Sequence, residues 1–562
     1  MQKINLLPKP KKIEFTGDEV ELEKLPIQTE INSNNVQEPG NEAYRLVVTK
    51  DGIFISARTE TGLRWGRATL AQLMIHKRVP CIVIDDAPLF PERGVMLDIS
   101  RDRVPTMKTL FQIVDLLASW KMNHLQLYVE HTIAYLGHEE VWKSSSPITL
   151  EELSALDVYC SQKGVSLNAN QNCLGHFERW LKHPRYAPMG ETSKAYMIND
   201  VWFVQPNTLC PIDPKVLPFL EDILSQQLPR CSGKYANIGC DEPWDLGKRR
   251  SKEICEKEGK HKVFSRHVNK VAEISRNLGK IPQFWCDPEP NEDDGLTKDI
   301  IALVWGYSAT TNFNERATAH LECGREVWVA PGTNCWNSTT GRTWSRRANL
   351  DLASRTKEAT GFLCTAWGDN GHRQVLPLTI FGFADAAMVA WSGANQYDNA
   401  SAGLHSFGVP AVGEWLAQLG NVDIEIFRGE RPRWDGKTPG NPVPNGNALW
   451  SEMNTHLFEQ DGYGDIPAWE EVSARLEQLR RNLPDGLEQT VKEECLFSVD
   501  VSKWIVDRAI IRRQKLTTEE RKKLAFRMAE LIATHRHLWL ERSRYGGLED
   551  SSSRFAFHCS RW

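Results

Sequence analysis

Tyr235-Ala236-Asn237-Ile238-Gly239-Cys240-Asp241-Glu242 is a strand-length apolar run that ends in two adjacent carboxylates. Neighbouring residues of a strand point to opposite faces. Asp241 and Glu242 can therefore turn toward one ligand only where the strand gives way to loop. One carboxyl can then protonate a leaving group while the other orients and polarises the substrate. The dipeptide alone carries little weight, because Asp18-Glu19 is another and lies in a polar stretch that reads as surface. Its setting is what matters.

Working outward, the run is the fourth of eight. The others are Gly94–Ser100, His124–Glu130, Ser166–Asn172, Ile281–Asp287, Asp299–Tyr307, Glu326–Gly332 and Gly361–Asp369. Helix-periodic segments lie between them, among them Thr106–Trp120, Leu150–Lys163, Val263–Leu278 and Leu376–Trp391. Strands that alternate with helices predict a parallel sheet, and eight units predict an α/β fold of the closed (β/α)8 TIM-barrel type. Chemistry in such barrels sits at the C-terminal ends of the strands. Those ends carry Asp98, Glu130, Asn172, Asp241, Glu242, Trp285, Asp287, Trp305, Tyr307, Trp367 and Asp369. Tryptophans and carboxylates together suit a sugar, since aromatic faces stack on the ring while carboxylates accept its hydroxyls.

A chain of 562 residues exceeds one barrel. Residues 1–88 read as a small α+β N-terminal domain, with strands at Tyr44–Thr49 and Gly52–Ala57 and a helix near Thr61–His76. Residues 89–395 read as the catalytic barrel, and 396–562 as a mostly helical C-terminal region. There Arg428–Asn447 reads as loop, while Ala468–Arg481 and Thr518–Ser543 are helix-periodic. Thr517 and Glu520 offer a capping box, and Gly546-Gly547 a helix stop. The net charge of -5 excludes a polyanion-binding signature, so no nucleic-acid partner is expected. Apolar runs stay below the length of a membrane span, so no membrane partner is expected. The start MQKINLLPKPKKIEF lacks a signal-peptide core. The expected location is the cytoplasm, or outside the cell if a leader has been removed. The 13 scattered cysteines, without a CxxC pair, argue against a zinc ribbon or a disulfide framework. Cys240, Cys286 and Cys364 read as small buried apolar residues.

The residues also carry a resemblance. Arg93-Gly94-Val95-Met96-Leu97-Asp98 with Ser100-Arg101, Lys121-Met122-Asn123-His124-Leu125, Gly175-His176, Ile238-Gly239-Cys240-Asp241-Glu242 and Trp367 occur in the order seen in glycoside hydrolase family 20, the β-N-acetylhexosaminidases. The tail, Leu538-Trp539-Leu540-Glu541-Arg542 with Gly546-Gly547-Leu548-Glu549, resembles a bacterial branch with a helical C-terminal domain. The resemblance implies an exo-acting retaining hydrolase of terminal β-linked GlcNAc or GalNAc. The substrate's own acetamido oxygen would be the nucleophile. It assigns Asp241 to the acetamido N–H and Glu242 to general acid and base. It also implies Arg93 on the ring hydroxyls O3 and O4, His176 beside the carboxylates, and Trp285, Trp305 and Trp367 as pocket walls. Asp369 falls where the family has a carboxylate for O4 and O6.

The chain departs from the family in three places. Cys240 replaces a glycine and is expected to narrow the wall behind the pair. Glu130-His131 replaces Asp-Asp, so Glu130 is expected to take the supporting carboxylate role. The family's strand-7 tyrosine, a donor to the acetamido oxygen, has no clear counterpart, and Tyr307, Asn334, Trp336 and Asn337 are the candidates to replace it. No metal or organic cofactor is expected. The expected partner is an oligosaccharide with a terminal N-acetylhexosamine, and a homodimer stays open. Two other readings also stay open: a barrel glycosidase acting on a modified or non-acetamido sugar, and a weakly catalytic carbohydrate-binding protein.

Overall fold

The computed structural model describes residues 4–560 apart from 102, 194–195, 199–200, 204, 288–294, 428–445, 455–463 and 515–516. Five strands open the chain: β1 (Lys12–Val20), β2 (Ile27–Glu30), β3 (Tyr44–Val48), β4 (Ile53–Ala57) and β5 (Val79–Asp86). They form one sheet in the order β1-β5-β3-β4-β2. Strands β3 and β4 alternate buried and half-exposed residues, the pattern of a sheet with one covered face. The cover is helix Glu60–Leu73, whose N-cap Thr59 accepts from the Gly62 N–H.

All eight predicted strands then appear: β6 (Glu92–Asp98), β7 (His124–Tyr128), β8 (Ser166–Asn170), β11 (Tyr235–Asn237), β12 (Ile281–Trp285), β13 (Ile301–Trp305), β14 (Val327–Ala330) and β15 (Gly361–Ala366). A hairpin, β9 (Tyr196–Ile198) with β10 (Val201–Phe203), lies between β8 and β11. The eight close into a parallel barrel, with β15 pairing back onto β6. Nearly every residue of these strands is buried, as parallel strands covered on both faces require. The crossover helices sit where the periodicity put them, including Met107–Ser119, Leu150–Lys163, Lys260–Asn277 and Leu376–Ser392. Thr149 and Glu152 form a capping box at the start of the second, and Gly164 ends it in the left-handed conformation.

The barrel axis is filled by two kinds of side chain. On one side Gln126 accepts from Asn170 and Asn237 and donates to Gln283, and His124 contacts Gln126 and Asn168. On the other an aromatic cluster runs from Tyr235 and Trp328 to Trp285 and Trp367. The core is thus richer in amides and rings than the aliphatic layers common in such barrels.

Beyond the barrel, helices Asn399–Phe407, Pro410–Leu419, Ala448–Asn454, Ile466–Arg481, Gln489–Arg513, Thr518–Arg542 and Leu548–Ser560 follow. The Thr517–Glu520 capping box forms. Gly546-Gly547 is not the stop, because Thr518–Arg542 ends at an extended Ser543. Gly546 instead lies against the Ser145 backbone, where a Cβ would stand 2.1 Å from the carbonyl oxygen. The predicted loop Arg428–Asn447 lies largely outside the described residues.

Candidate active site

Strand β11 ends at Asn237, five residues before Glu242, so the carboxylate pair stands on irregular backbone. Gly239 (φ 66°), Cys240 (φ 69°) and Glu242 (φ 48°) are left-handed, a conformation that costs energy in a residue with a Cβ. The surroundings hold it. Asn172 Oδ1 accepts the Cys240 N–H at 3.1 Å, and the Asp287 carboxylate accepts the Glu242 N–H. Asn207 Nδ2 donates to the Glu242 carbonyl at 2.9 Å, and Asn207 Oδ1 accepts the His176 N–H at 2.9 Å. Gly175 passes so close that a Cβ there would stand 2.2 Å from the Asp241 carbonyl oxygen.

This loop turns both carboxyls into one pocket of about 100 Å³. Asp241 is buried, and its oxygens are engaged: Oδ1 accepts from Asn172 Nδ2 at 2.6 Å, and Oδ2 lies 3.3 Å from His176 Nε2. His176 Nε2 is also 3.4 Å from Glu242 Oε2, so the imidazole bridges the pair. Burial opposes charge on His176, but Asp241 and the hydrogen bonds of both carboxylates raise it well above the ordinary histidine value. Burial likewise opposes ionisation of Asp241, yet His176 and then Arg101 hold it below the usual aspartate value. The site therefore keeps an aspartate anion against a histidine cation, with the Glu242 side chain about one-third exposed. His176, Asp241 and Glu242 each offer a potential metal-ligand atom within 4.8 Å of the others, and the protonated imidazole already supplies a compensating charge.

The walls are aromatic. Trp285, Trp305, Tyr307, Trp336 and Trp367 line the pocket. Tyr307 stacks on Trp305 at 5.5 Å and meets Trp336 edge-on at 5.0 Å. Its hydroxyl oxygen accepts from Trp367 Nε1 at 2.7 Å, and the hydroxyl also meets the Thr365 side chain. Burial keeps that hydroxyl protonated. Asn334, Trp336 and Asn337 were the other candidates for the donor. Asn334 Nδ2 is engaged with the Tyr307 carbonyl and Ser345, and Asn337 Oδ1 accepts from Asn370 Nδ2, whereas Tyr307 and Trp336 both line the pocket.

Asp369 also lines the pocket, next to Arg101, and burial raises its pKa. Glu130 stands behind them: Oε1 lies 3.0 Å from Arg101 Nε, 3.1 Å from the Tyr128 hydroxyl and 4.0 Å from His176 Nδ1. Burial pushes Glu130 up to about 7 against Arg101 and His176.

Two expectations fail. Arg93 is not in the pocket. It lies near the start of β6, at the opposite end of the barrel from the carboxylates, and is fully buried. Its guanidinium pairs with Glu42 at 2.7 Å, donates to the Lys121 and Phe90 carbonyls and lies between Trp65 and Trp391. Arg101 occupies the pocket instead, pairing with Asp98 at 3.0 Å and lying over Tyr128 and Trp367. Strand direction carried the signal, since Arg93 lies at the start of β6 and Arg101 follows its end. Cys240 does not narrow the pocket either; its Sγ faces the Ile238 carbonyl within the core.

Asp287 was named as a strand end without a role, and Asn207 was not singled out. Asp287 ends a predicted strand and was open to discovery on that ground. It accepts the Glu242 N–H and, at 3.1 Å, Trp305 Nε1. Burial and the Asp241 charge push it up to about 8. Asn207 lies in the long segment after β8, which carries no periodic signal.

The catalytic-domain model of glycosyl hydrolase family 20 matches residues 90–368, and its domain 2 model matches residues 11–87. A β-hexosaminidase of Akkermansia muciniphila is 24% identical over 313 residues, 50% of this chain and 62% of its own length. A β-N-acetylhexosaminidase of Cellulomonas fimi is 24% identical over 317 residues, 53% of this chain and 59% of its own. The matches thus span less than two thirds of either relative. Among solved structures, a family 20 exo-β-N-acetylglucosaminidase from Vibrio harveyi superposes with a TM-score of 0.57 at 18% identity, covering 74% of this chain and 78% of the other. A Flavobacterium johnsoniae chitobiase gives 0.59 at 18% identity, covering 93% and 96%. At that identity the two structures speak to the fold.

Proposed function

Given that the chain belongs to glycosyl hydrolase family 20, we propose that it is an exo-acting, retaining β-N-acetylhexosaminidase that works through an oxazolinium intermediate. The observation that carries the proposal is the division of labour in the carboxylate pair. Both oxygens of Asp241 are engaged, by Asn172 and His176, which suits an orienting acceptor. The more exposed Glu242 is free to meet a glycosidic oxygen.

The substrate's 2-acetamido group lies among the tryptophans. Asp241 accepts its N–H, and the Tyr307 hydroxyl donates to its carbonyl oxygen. That oxygen attacks the anomeric carbon as the bond to the leaving group breaks, and Glu242 transfers its proton to the departing oxygen. Attack from within the substrate gains effective concentration. Asp241 stabilises the positive charge that develops on the acetamido nitrogen. Water then attacks the anomeric carbon from the vacated face, Glu242 takes its proton, and the ring opens to the free sugar with the original anomeric configuration. Arg101 and Asp369 sit together, where a fork of donors and a carboxylate suit vicinal ring hydroxyls.

Hydrolysis of a chromogenic β-GlcNAc glycoside tests the proposal. The protein is expected to release the aryl group and leave β-glucosides uncleaved. Cleavage of the glucoside at a similar rate would favour a glycosidase for non-acetamido sugars. Binding without release would favour a lectin-like role.

A further inference from the structure

The backbone after Asp369 makes three successive left-handed residues, Asn370 (φ 59°), Gly371 (φ 86°) and His372 (φ 49°). Two of the three carry a Cβ, so the loop persists only because its surroundings over-determine it. Part of the support is the barrel. The His372 N–H donates to the Gly368 carbonyl at 2.8 Å, and the Gly368 N–H donates to Asp98 Oδ2 at 3.0 Å, the carboxylate that also holds Arg101. Asn370 Nδ2 donates to Asn337 Oδ1 at 2.9 Å.

The rest comes from the C-terminal helices, outside the segment that matches the family's catalytic domain. Ser551, fully buried on helix Leu548–Ser560, donates through Oγ to the Gly371 carbonyl at 2.6 Å. With its proton spent there, Ser551 Oγ accepts from His535 Nε2, 3.0 Å away on helix Thr518–Arg542. His535 lies among Phe497, Trp539 and Phe555, and burial lowers it to about 3, so the ring is neutral and Nε2 carries the hydrogen of this chain. Gly371 leaves no slack, because a Cβ there would stand 2.5 Å from Arg554 Cδ and 3.3 Å from Ser551 Cα. The loop that presents Asp369 is thus pinned between the end of β15 and a directed His535–Ser551–Gly371 hydrogen-bond chain.

We propose that Ser551 is a positioning residue: through the Gly371 carbonyl it sets where Asp369 stands, and so sets the selectivity among sugars that differ at the hydroxyls Asp369 meets. This rests on reading the pocket as an N-acetylhexosamine site. The alternative is that Ser551 only stabilises the packing of the C-terminal helices.

A double-mutant cycle separates the two. kcat and KM are measured on aryl β-GlcNAc and aryl β-GalNAc, which differ at C4, for wild type, Ser551→Ala, Asp369→Ala and the double variant, with Tm on the same preparations. Ser551→Ala is expected to lower kcat/KM about tenfold on the preferred epimer, the scale of one buried hydrogen bond. The ratio between epimers should narrow, and Ser551→Ala should change little further once Asp369 is Ala. Gly371→Ala, whose Cβ presses the same loop against Arg554 and the Ser551 backbone while keeping the Ser551 hydroxyl, is expected to narrow the ratio as well and serves if Ser551→Ala does not fold. An unchanged epimer ratio in both variants, or the same loss from Ser551→Ala with and without Asp369, overturns the inference. Wild type inert on both glycosides removes the hexosaminidase reading itself, whereas active wild type with an additive cycle removes the Ser551 role alone.

Discussion

At the scale of the residue, the site is organised around a glutamate held in an unfavourable backbone conformation by partners from three other segments. Asp287 takes its N–H, Asn207 its carbonyl and His176 its side chain. If Glu242 is the acid, Glu242→Gln should cut turnover of poor leaving groups by about 10²–10⁴, and turnover of activated aryl leaving groups much less, since these depart without a proton. Equal losses on the two substrate types would remove it from that role. Asp287 holds its proton up to about pH 8, so Asp287→Asn swaps a neutral carboxyl for an amide with one carbonyl acceptor, and either Glu242 or Trp305 loses its partner. A drop in kcat of about tenfold is expected, the size of one lost hydrogen bond. The stability sign is separate. The folded Asp287 binds its proton up to about pH 8, whereas an unfolded aspartate releases it near about 4. The folded state therefore holds the extra proton between those values, and this contribution is lost as pH rises through the window. Tm of Asp287→Asn should gain on wild type between pH 5 and 8 (a range spanning roughly the two pKa values); a difference independent of pH would contradict the shift. The carboxylate pair, Trp285, Trp305 and Trp367 were legible in the sequence because each falls at the close of an apolar strand-length run, whereas Trp336 lies in the loop beyond β14. Arg93 and Arg101 were not told apart because they stand toward opposite ends of the same strand, and only its direction decides which one reaches the pocket. Asn207 could not be read, since its role exists only once a distant loop folds against it.

The decisive element is β11 with its sequel, where three residues of strand are followed by a loop that abandons the pleat. A regular strand to Glu242 would have sent the two carboxyls to opposite faces. The break was legible as a chemical requirement, and the glycine that permits it was not. Gly175 lets the β8 loop touch the Asp241 and Glu242 carbonyls. Gly175→Ala should therefore displace the pair and lower kcat by about 10², the cost of about 1 Å of misplacement, with the circular dichroism spectrum retained. Wild-type turnover in that variant would show that the close approach is not needed. Helices were easier to read than their ends. The Thr149 and Thr517 boxes formed as their residues demand, while Gly546-Gly547 serves a backbone contact across elements rather than a cap.

At the scale of the whole molecule, the barrel is gripped from both ends. At the C-terminal face the last helices pin the Asp369 loop. At the other end Arg93 reaches from β6 to Glu42 in the N-terminal sheet domain, with Trp65 and Trp391 on its faces. Arg93→Ala leaves Glu42 with Trp65 Nε1 but without its counter-charge, and breaking such a pair costs about 3–5 kcal/mol. The variant should melt early, while the folded fraction keeps wild-type kcat and KM. A raised KM at unchanged Tm would return Arg93 to substrate binding. The alternation of strands and helices made this architecture legible at a distance, whereas the contacts that join its parts, Arg93 to Glu42 and Ser551 to Gly371, lie between segments 51 and 180 residues apart. The central claim is that the substrate's acetamido group, held by Asp241 and Tyr307, is the nucleophile. The most direct test pairs a thiazoline formed from GlcNAc with a 2-deoxy-2-fluoro glycosyl donor. The account predicts competitive inhibition by the thiazoline far tighter than by GlcNAc, because it copies the bicyclic intermediate, and no covalent adduct from the fluoro sugar. An intact-mass increase of one fluoro-sugar unit, mapped to a carboxylate of the pocket, would contradict it.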